Sequence, residues 1–277
     1  MINSYKNKQM GFKLLISILL GVLGIVTFFP FLWMIFSSFK TNAEINQIVP
    51  SLLPKAASLD NFKELFVRMN FGLYLKNTLI VTICSFAGLF LNAMAGYGFA
   101  KYDFKGKNKL FLLVLATMMI PGQVTMIPVY LLLNSVGLTN SLTGIILPGL
   151  VGAFGVFLFR QFMSTISDEM IEAARLDGAN EWYIFFKIIL PLTKPILAVQ
   201  GILTFIGGWN SFLWPLIIAN DEKYYTLSVG LQLLQEQHGG NYALQMAGAT
   251  FMVVPILIVF LIFQKYILEG FNVSGMK

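Results

Sequence analysis

Five residues in one short stretch, Glu172, Ala173, Ala174, Asp177 and Gly178, have types and spacing suited to docking another surface. They lie in residues 164–178, Ser-Thr-Ile-Ser-Asp-Glu-Met-Ile-Glu-Ala-Ala-Arg-Leu-Asp-Gly. The spacing predicts a short helix. Ser167 is a good N-cap, and Asp168 and Glu169 sit favourably against the helix dipole. Met170, Ala173, Ala174 and Asp177 share one side at i, i+3, i+4, i+7 spacing. Gly178 can take the positive φ that ends a helix. Asn180 can cap a second helix, with Glu181 in its first turn, which Pro191 would stop. Glu172 and Asp177 offer carboxylates to basic groups on a partner, and the paired alanines permit close approach. A solvated loop helix that meets nothing fits the same residues.

Reactive chemistry finds little support. The chain has one histidine, His238, and one cysteine, Cys84, so no metal cluster and no internal disulfide is expected. No Gly-x-x-x-x-Gly-Lys-Ser/Thr run occurs. Gly106-Lys107 lacks the upstream glycine and is followed by Asn108. The chain is therefore expected to hydrolyse no ATP itself, to carry no cofactor and to be no enzyme.

The elements that must position the docking stretch follow from composition. Of 277 residues 57% are hydrophobic and only 12% charged, about half the roughly 25% usual in soluble proteins. Mean hydropathy is +0.74. A soluble core cannot absorb that much apolar surface, so the bilayer must be the solvent for most side chains. Spans of about 20 apolar residues are predicted near 14–39, 77–100, 110–133, 141–159, 195–220 and 243–264. The fold class is an all-α membrane protein with six transmembrane helices in one domain, 1–277. The runs are too long and too continuously apolar for barrel strands. The first span is too long for a signal-peptide core and has no cleavage site behind it.

Six spans put both termini on one side. That side would hold 13 of the Lys and Arg residues and the other 6, so the termini are predicted to be cytoplasmic. The net charge of +6 then reflects lysine-rich cytoplasmic loops and not nucleic-acid binding. Residues 164–190 become a cytoplasmic loop. On the outer side, Leu59 to Phe66 reads as a short amphipathic helix capped by Asp60 or Asn61. Residues 221–242 form an outer loop broken at Gly239-Gly240.

No predicted span has an internal Asp, Glu, Lys or Arg, which argues against ion coupling and fits a neutral polar substrate. Candidates for the substrate path are Asn92, Gln123, Thr125, Trp209, Asn210 and Ser211. Each can equally bond a neighbouring helix. Gly207-Gly208 could loosen the helix beside Trp209. Pro30, Pro121, Pro128, Pro148, Pro215 and Pro255 can kink their helices. Gly149, Gly152 and Ala153 could let span four pack closely, and Met118 and Met119 could seal a gate or simply pack.

Glu172-Ala173-Ala174, three residues, Gly178, nine more, then Ile188-Ile189-Leu190-Pro191 resembles the EAA signature of bacterial ABC importer permeases. The pattern also lies in the expected loop, before the penultimate span. Softer matches are Asp60-Asn61-Phe62, Ala95 to Ala100, Trp209 to Phe212 and the tail Gly270 to Lys277. The whole chain is similar to sugar-uptake permeases of the maltose and multiple-sugar type, the smaller of the paired subunits. The resemblance implies the type I importer architecture, a multi-pass place in the bacterial cell membrane, and a second permease as heterodimer partner. It also implies a dimeric ATPase holding ATP and Mg, and an extracytoplasmic solute-binding protein. Residues 168–178 would be the coupling helix, with Glu172 pairing to a basic residue on the ATPase. Ala173 and Ala174 would allow close packing, and Gly178 would set the turn. Residues 274–277 could reach the ATPase interface. The substrate would be a sugar or oligosaccharide moved by alternating access. A polyol or glycerol-phosphate permease and a secondary transporter remain alternatives.

Overall fold

The computed structural model describes residues 2–68, 70–237 and 239–273, and no strand occurs among them. Residues 274–277, expected to reach the ATPase interface, and His238 lie outside the described residues. In chain order the helices are α1 (Ile2–Ser38), α2 (Asn42–Ile45), α3 (Asp60–Arg68), α4 (Phe71–Lys101), α5 (Lys107–Met118), α6 (Gly122–Ser135), α7 (Leu142–Ile146) and α8 (Ala153–Met163). They continue as α9 (Asp168–Leu176), α10 (Glu181–Tyr183), a π-helical turn over Ile184–Ile189, α11 (Leu190–Leu192), α12 (Lys194–Trp209), α13 (Leu213–Ile218), α14 (Leu227–Gln237) and α15 (Tyr242–Val273).

Five segments among the described residues are long and apolar enough to span a bilayer: Met10–Ser38, Phe71–Lys101, Leu142–Met163, Lys194–Ile218 and Tyr242–Lys265. The remaining predicted span, 110–133, is not one rod. It consists of α5 and α6, bent by 101°. Pro121 sits extended at the break (φ −59°, ψ 130°) as the N-cap residue of α6, where its missing N–H costs no helical bond. Met118 and Met119 flank this corner and are exposed instead of packed within the chain.

The chain divides into two compact units. One comprises residues 1–69 and 234–251. From Met10 to Pro30 its α1 presents an apolar surface that no described residue buries, as a lipid-facing helix should. Beyond α1 the chain is tied by polar contacts. The buried Lys40 ammonium donates to the Ser51 carbonyl and lies 4.7 Å from the Trp33 ring centroid. The buried Glu44 carboxylate accepts from Ser51 Oγ at 3.0 Å and Lys55 N–H at 2.9 Å. Asn61 caps nothing. Its amide donates to the carbonyls of Ser38 (2.9 Å) and Lys40 (2.8 Å), while α3 starts at Asp60 with Ser58 Oγ accepting from the Asp60 N–H at 3.0 Å.

The other unit, residues 70–233 and 252–277, is built around α4. Glycines let its backbone meet its neighbours. A Cβ on Gly88 would lie 1.8 Å from the Leu150 carbonyl oxygen, and one on Gly96 would lie 2.4 Å from Phe159 Cβ. From α8, Gly155 faces Asn92, and from α12, Gly208 faces Thr82. This corrects the expectation about span four: Gly149 and Gly152 face open space, and Gly155 with Gly88 and Gly96 makes the close approach.

Span four itself is broken between α7 and α8, where Pro148 lies in a 3₁₀ turn. The break leaves backbone groups without helical partners. Asn92 Oδ1 satisfies one of them, accepting from the Gly152 N–H at 3.1 Å. Span five breaks too, between α12 and α13, but at 210–212 and not at Gly207-Gly208, through which α12 runs unbroken. Pro215 cannot donate to the Ser211 carbonyl, which instead accepts from Thr226 Oγ1 at 3.1 Å. Span four ends beyond 159, so Arg160 falls in the last turn of α8, its guanidinium 3.8 Å from the Phe111 ring centroid.

Candidate functional site

The predicted docking helix is α9. It ends as foreseen. Gly178 takes φ +84°, the Gly178 N–H donates to the Arg175 carbonyl, and the Ala179 N–H donates to the Ala174 carbonyl, each at 3.0 Å. That pattern closes the last turn and satisfies its carbonyls. Asn180 caps the next helix, accepting from the Tyr183 N–H at 2.8 Å. Ser167 stands at the N-cap position but makes no cap bond, so Asp168 and Glu169 face the helix dipole without it. Pro191 does not stop the following helix. The chain passes into a π-helical turn and continues through α11, with Pro191 in the first turn, where no N–H is needed.

The two alanines do not share a role. Ile171 is buried and Ala174 packs beside it, against a core of Leu89, Ala93, Tyr97, Phe159 and Met163. Glu172, Ala173, Asp177 and Gly178 are exposed. So is Leu176, at 90% of its surface, and it lies on the same side as Glu172, Ala173 and Glu169. Leu176 was missed from sequence. Its signal was an apolar residue one turn beyond Glu172 on an otherwise polar face.

Polar contacts fix both ends of α9 to α4. At its start, the Lys101 ammonium bonds Asp168 Oδ1 at 2.6 Å and also donates to the Ile166 carbonyl. Past its end, Glu181 Oε1 accepts from Arg175 Nε at 2.8 Å. Glu181 Oε2 accepts from the Tyr102 hydroxyl, with the Tyr97 hydroxyl 3.4 Å away. Arg175 and then Tyr102 hold the Glu181 carboxyl below the ordinary glutamate range, and Lys101 does the same for Asp168. A lowered carboxyl pKa stabilises the folded form above the ordinary value and loses that contribution as pH falls through the lowered one. Both contacts are therefore intact at neutral pH.

Beside α4 lies a cavity of about 670 Å³. Ser85, Asn92, Gln123, Thr125, Gln200, Thr204 and Ser211 supply polar groups, and Phe154 and Trp214 aromatic surface. Among the described residues no charged side chain lines it. The buried Gln200 Oε1 has no hydrogen-bond partner among the described residues. Three sequence candidates, Gln123, Thr125 and Ser211, reach this space. Asn92 lines it while holding Gly152. Trp209 and Asn210 do not line it. The Trp209 indole is buried, donates to the Met252 carbonyl at 2.9 Å and stacks on Phe205, so its polar handle is used inside the bundle. Asn210 is the C-cap residue of α12. Gln200 and Thr204 were missed because a lone polar residue in an apolar run does not say which way it faces.

Comparison with known proteins agrees with this architecture. Residues 88–272 match the family described as binding-protein-dependent transport system inner membrane component. The arabinooligosaccharides transport system permease protein AraQ of Halalkalibacterium halodurans is 38% identical over 270 residues, covering 95% of this chain and 96% of the relative. Its counterpart in Bacillus subtilis is 37% identical, covering 96% of each. The lactose transport system permease protein LacG of Rhizobium radiobacter is 30% identical over 91% of this chain and 92% of its own. Among solved structures, a chain of a bacterial ABC transporter involved in the import of the acidic polysaccharide alginate superposes with a TM-score of 0.83. It is 26% identical, covering 92% of this chain and 96% of that one. The family match and the extent of these likenesses settle the kinship: the chain belongs to the binding-protein-dependent transport system inner membrane component family, as a multi-pass ABC permease subunit and not an enzyme.

Proposed function

We propose that this permease carries a neutral sugar or oligosaccharide into the cytoplasm by alternating access, driven by ATP that a separate ATPase subunit hydrolyses. The observation that carries this reading is α9: a polar helix packed through Ile171 and Ala174, presenting Glu172, Ala173 and Leu176 outward. In this reading α9 faces the cytoplasm, both termini lie on that side, and the cleft of a dimeric ATPase receives Leu176 as the apolar anchor. Glu172 meets a basic group there, and Asp177 and Gly178 shape the exit of the helix. ATP and Mg belong to the ATPase. A second permease completes the path, and an extracytoplasmic binding protein delivers substrate. The family description supports that last partner.

The sugar assignment rests on relatives named for arabinooligosaccharides and lactose, and on the cavity. Hydroxyl and amide groups with aromatic walls suit a polyhydroxylated solute. A relative from Pectobacterium atrosepticum is named for sn-glycerol-3-phosphate, 30% identical over 92% of this chain. A phosphate would call for cationic groups, and the uncharged cavity of this chain favours the neutral sugar.

The test is reconstitution of the tagged chain with its co-purifying subunits in proteoliposomes. Uptake of an arabino-oligosaccharide that needs ATP and survives proton and sodium ionophores is the expected result. Uptake that runs without ATP and stops with an ionophore would make this a secondary transporter. In the same system Gln200→Leu, which keeps the volume but removes the unpaired acceptor, should lower apparent substrate affinity about tenfold, the effect of losing roughly one hydrogen bond to a hydroxyl. Unchanged affinity would remove Gln200 from the path.

A further inference from the structure

We propose that the two polar clamps joining α9 to the end of α4 are the link through which the coupling helix moves the cavity wall, with Lys101, Tyr102, Arg175 and Glu181 acting as positioning residues. The inference deepens the coupling-helix reading above and rests on it. Besides the short segment 164–167 back to α8, two routes lead from α9 toward the cavity. The covalent route, onward to α12, passes the π-helical turn Ile184–Ile189, Pro191, the turn at Thr193 and Pro195. π-helical turns and proline sites are where helices bend, so a displacement entering there is absorbed. The other route is not covalent. α4 is one helix of 31 residues without proline, and its rise of about 1.5 Å per residue makes it a rod of about 46 Å. Its last turn and the residue after it hold both ends of α9: Lys101 grips Asp168 and the Ile166 carbonyl, and Tyr102 and Tyr97 grip Glu181, which holds Arg175.

Apolar packing of Ile171 against α4 and α8 alone permits sliding. Two directional contacts, one before and one beyond the helix, do not. Further along the same rod, Asn92 holds the Gly152 N–H, and Ser85 and Val81 line the cavity. A displacement of α9 is therefore delivered to the cavity by α4.

The experiment uses the reconstituted transporter with its ATPase and compares Glu181→Gln, Tyr102→Phe, Lys101→Met and the charge-exchanged pair Arg175→Glu with Glu181→Arg. None of these residues lies on the outward face assigned to docking. Each single variant should keep ATPase association and ATP hydrolysis while uptake per ATP hydrolysed falls about tenfold, within the range of ordinary coupling free energies. The exchanged pair should recover most of that ratio, which a merely structural loss would not do. An unchanged uptake-to-hydrolysis ratio in the single variants would overturn the proposal. So would loss of ATPase association, which would assign these residues to docking. The wild-type lane separates the two readings: if no ATPase binds there, the coupling-helix reading itself has failed.

Discussion

Replacing Gly88 with leucine should abolish the folded permease, whereas the same change at Gly98, ten residues further along the same helix α4, should leave it intact. The two glycines look alike in sequence. At Gly88 the first added carbon already falls 1.8 Å from the carbonyl oxygen of Leu150, while around Gly98 nothing lies within 4 Å. The obstacle at Gly88 is backbone, at the break between α7 and α8, and it cannot rotate away as a side chain can. Overpacking a well-filled site costs about 1–3 kcal/mol. A clash with backbone across the α4–α8 contact belongs at or beyond the upper end, a large share of a marginal total stability. Yield of monodisperse protein in detergent and its Tm measure the effect. Gly88→Leu behaving like Gly98→Leu would mean that the α4–α8 contact is not formed as described.

The second large effect concerns partner binding and leaves the chain itself untouched. Leu176→Asp should release the ATPase while the permease inserts and melts as wild type. The side chain is almost wholly exposed, so its loss costs the fold within about 0.5 kcal/mol. Burying a leucine in a cleft is worth about 1.5–3 kcal/mol, or roughly one to two decades of affinity, and a carboxylate there adds repulsion from any acidic neighbour. Glu172→Ala should give a smaller loss on the same axis. Ala174→Asp makes the opposite pattern: it faces the core of Leu89, Ala93 and Phe159 and should damage the fold before it affects docking. Affinity measured by titrating purified ATPase onto immobilised permease, with Tm in parallel, separates the two classes.

Much of this was legible in the sequence because a bilayer simplifies the physics. Uncharged runs must be helices, and their lengths are set by the hydrocarbon. The end of α9 and the start of α10 were readable from single residues, Gly178 and Asn180, whose roles are local. What could not be read depends on neighbours distant in the chain. The breaks at 150–152 and 210–212 need partners for freed backbone groups, supplied by Asn92 of α4 and by Thr226, just ahead of α14. Trp209 looked like a substrate ligand because its chemistry fits one, yet Met252 takes its only donor. Ala173 and Ala174 are adjacent and identical, and only the fold divides them into an outward and an inward residue. The clamps of Lys101 and Glu181 join residues more than 60 positions apart, and no local pattern announces them.

The most direct test of the coupling role is a photo-crosslinker scan through residues 168–178 in the assembled transporter. Crosslinks to the ATPase should peak at 172, 173 and 176 and be weak at 171 and 174, following the helix period. A scan in which no position of this helix reaches the ATPase in any nucleotide state would contradict the account.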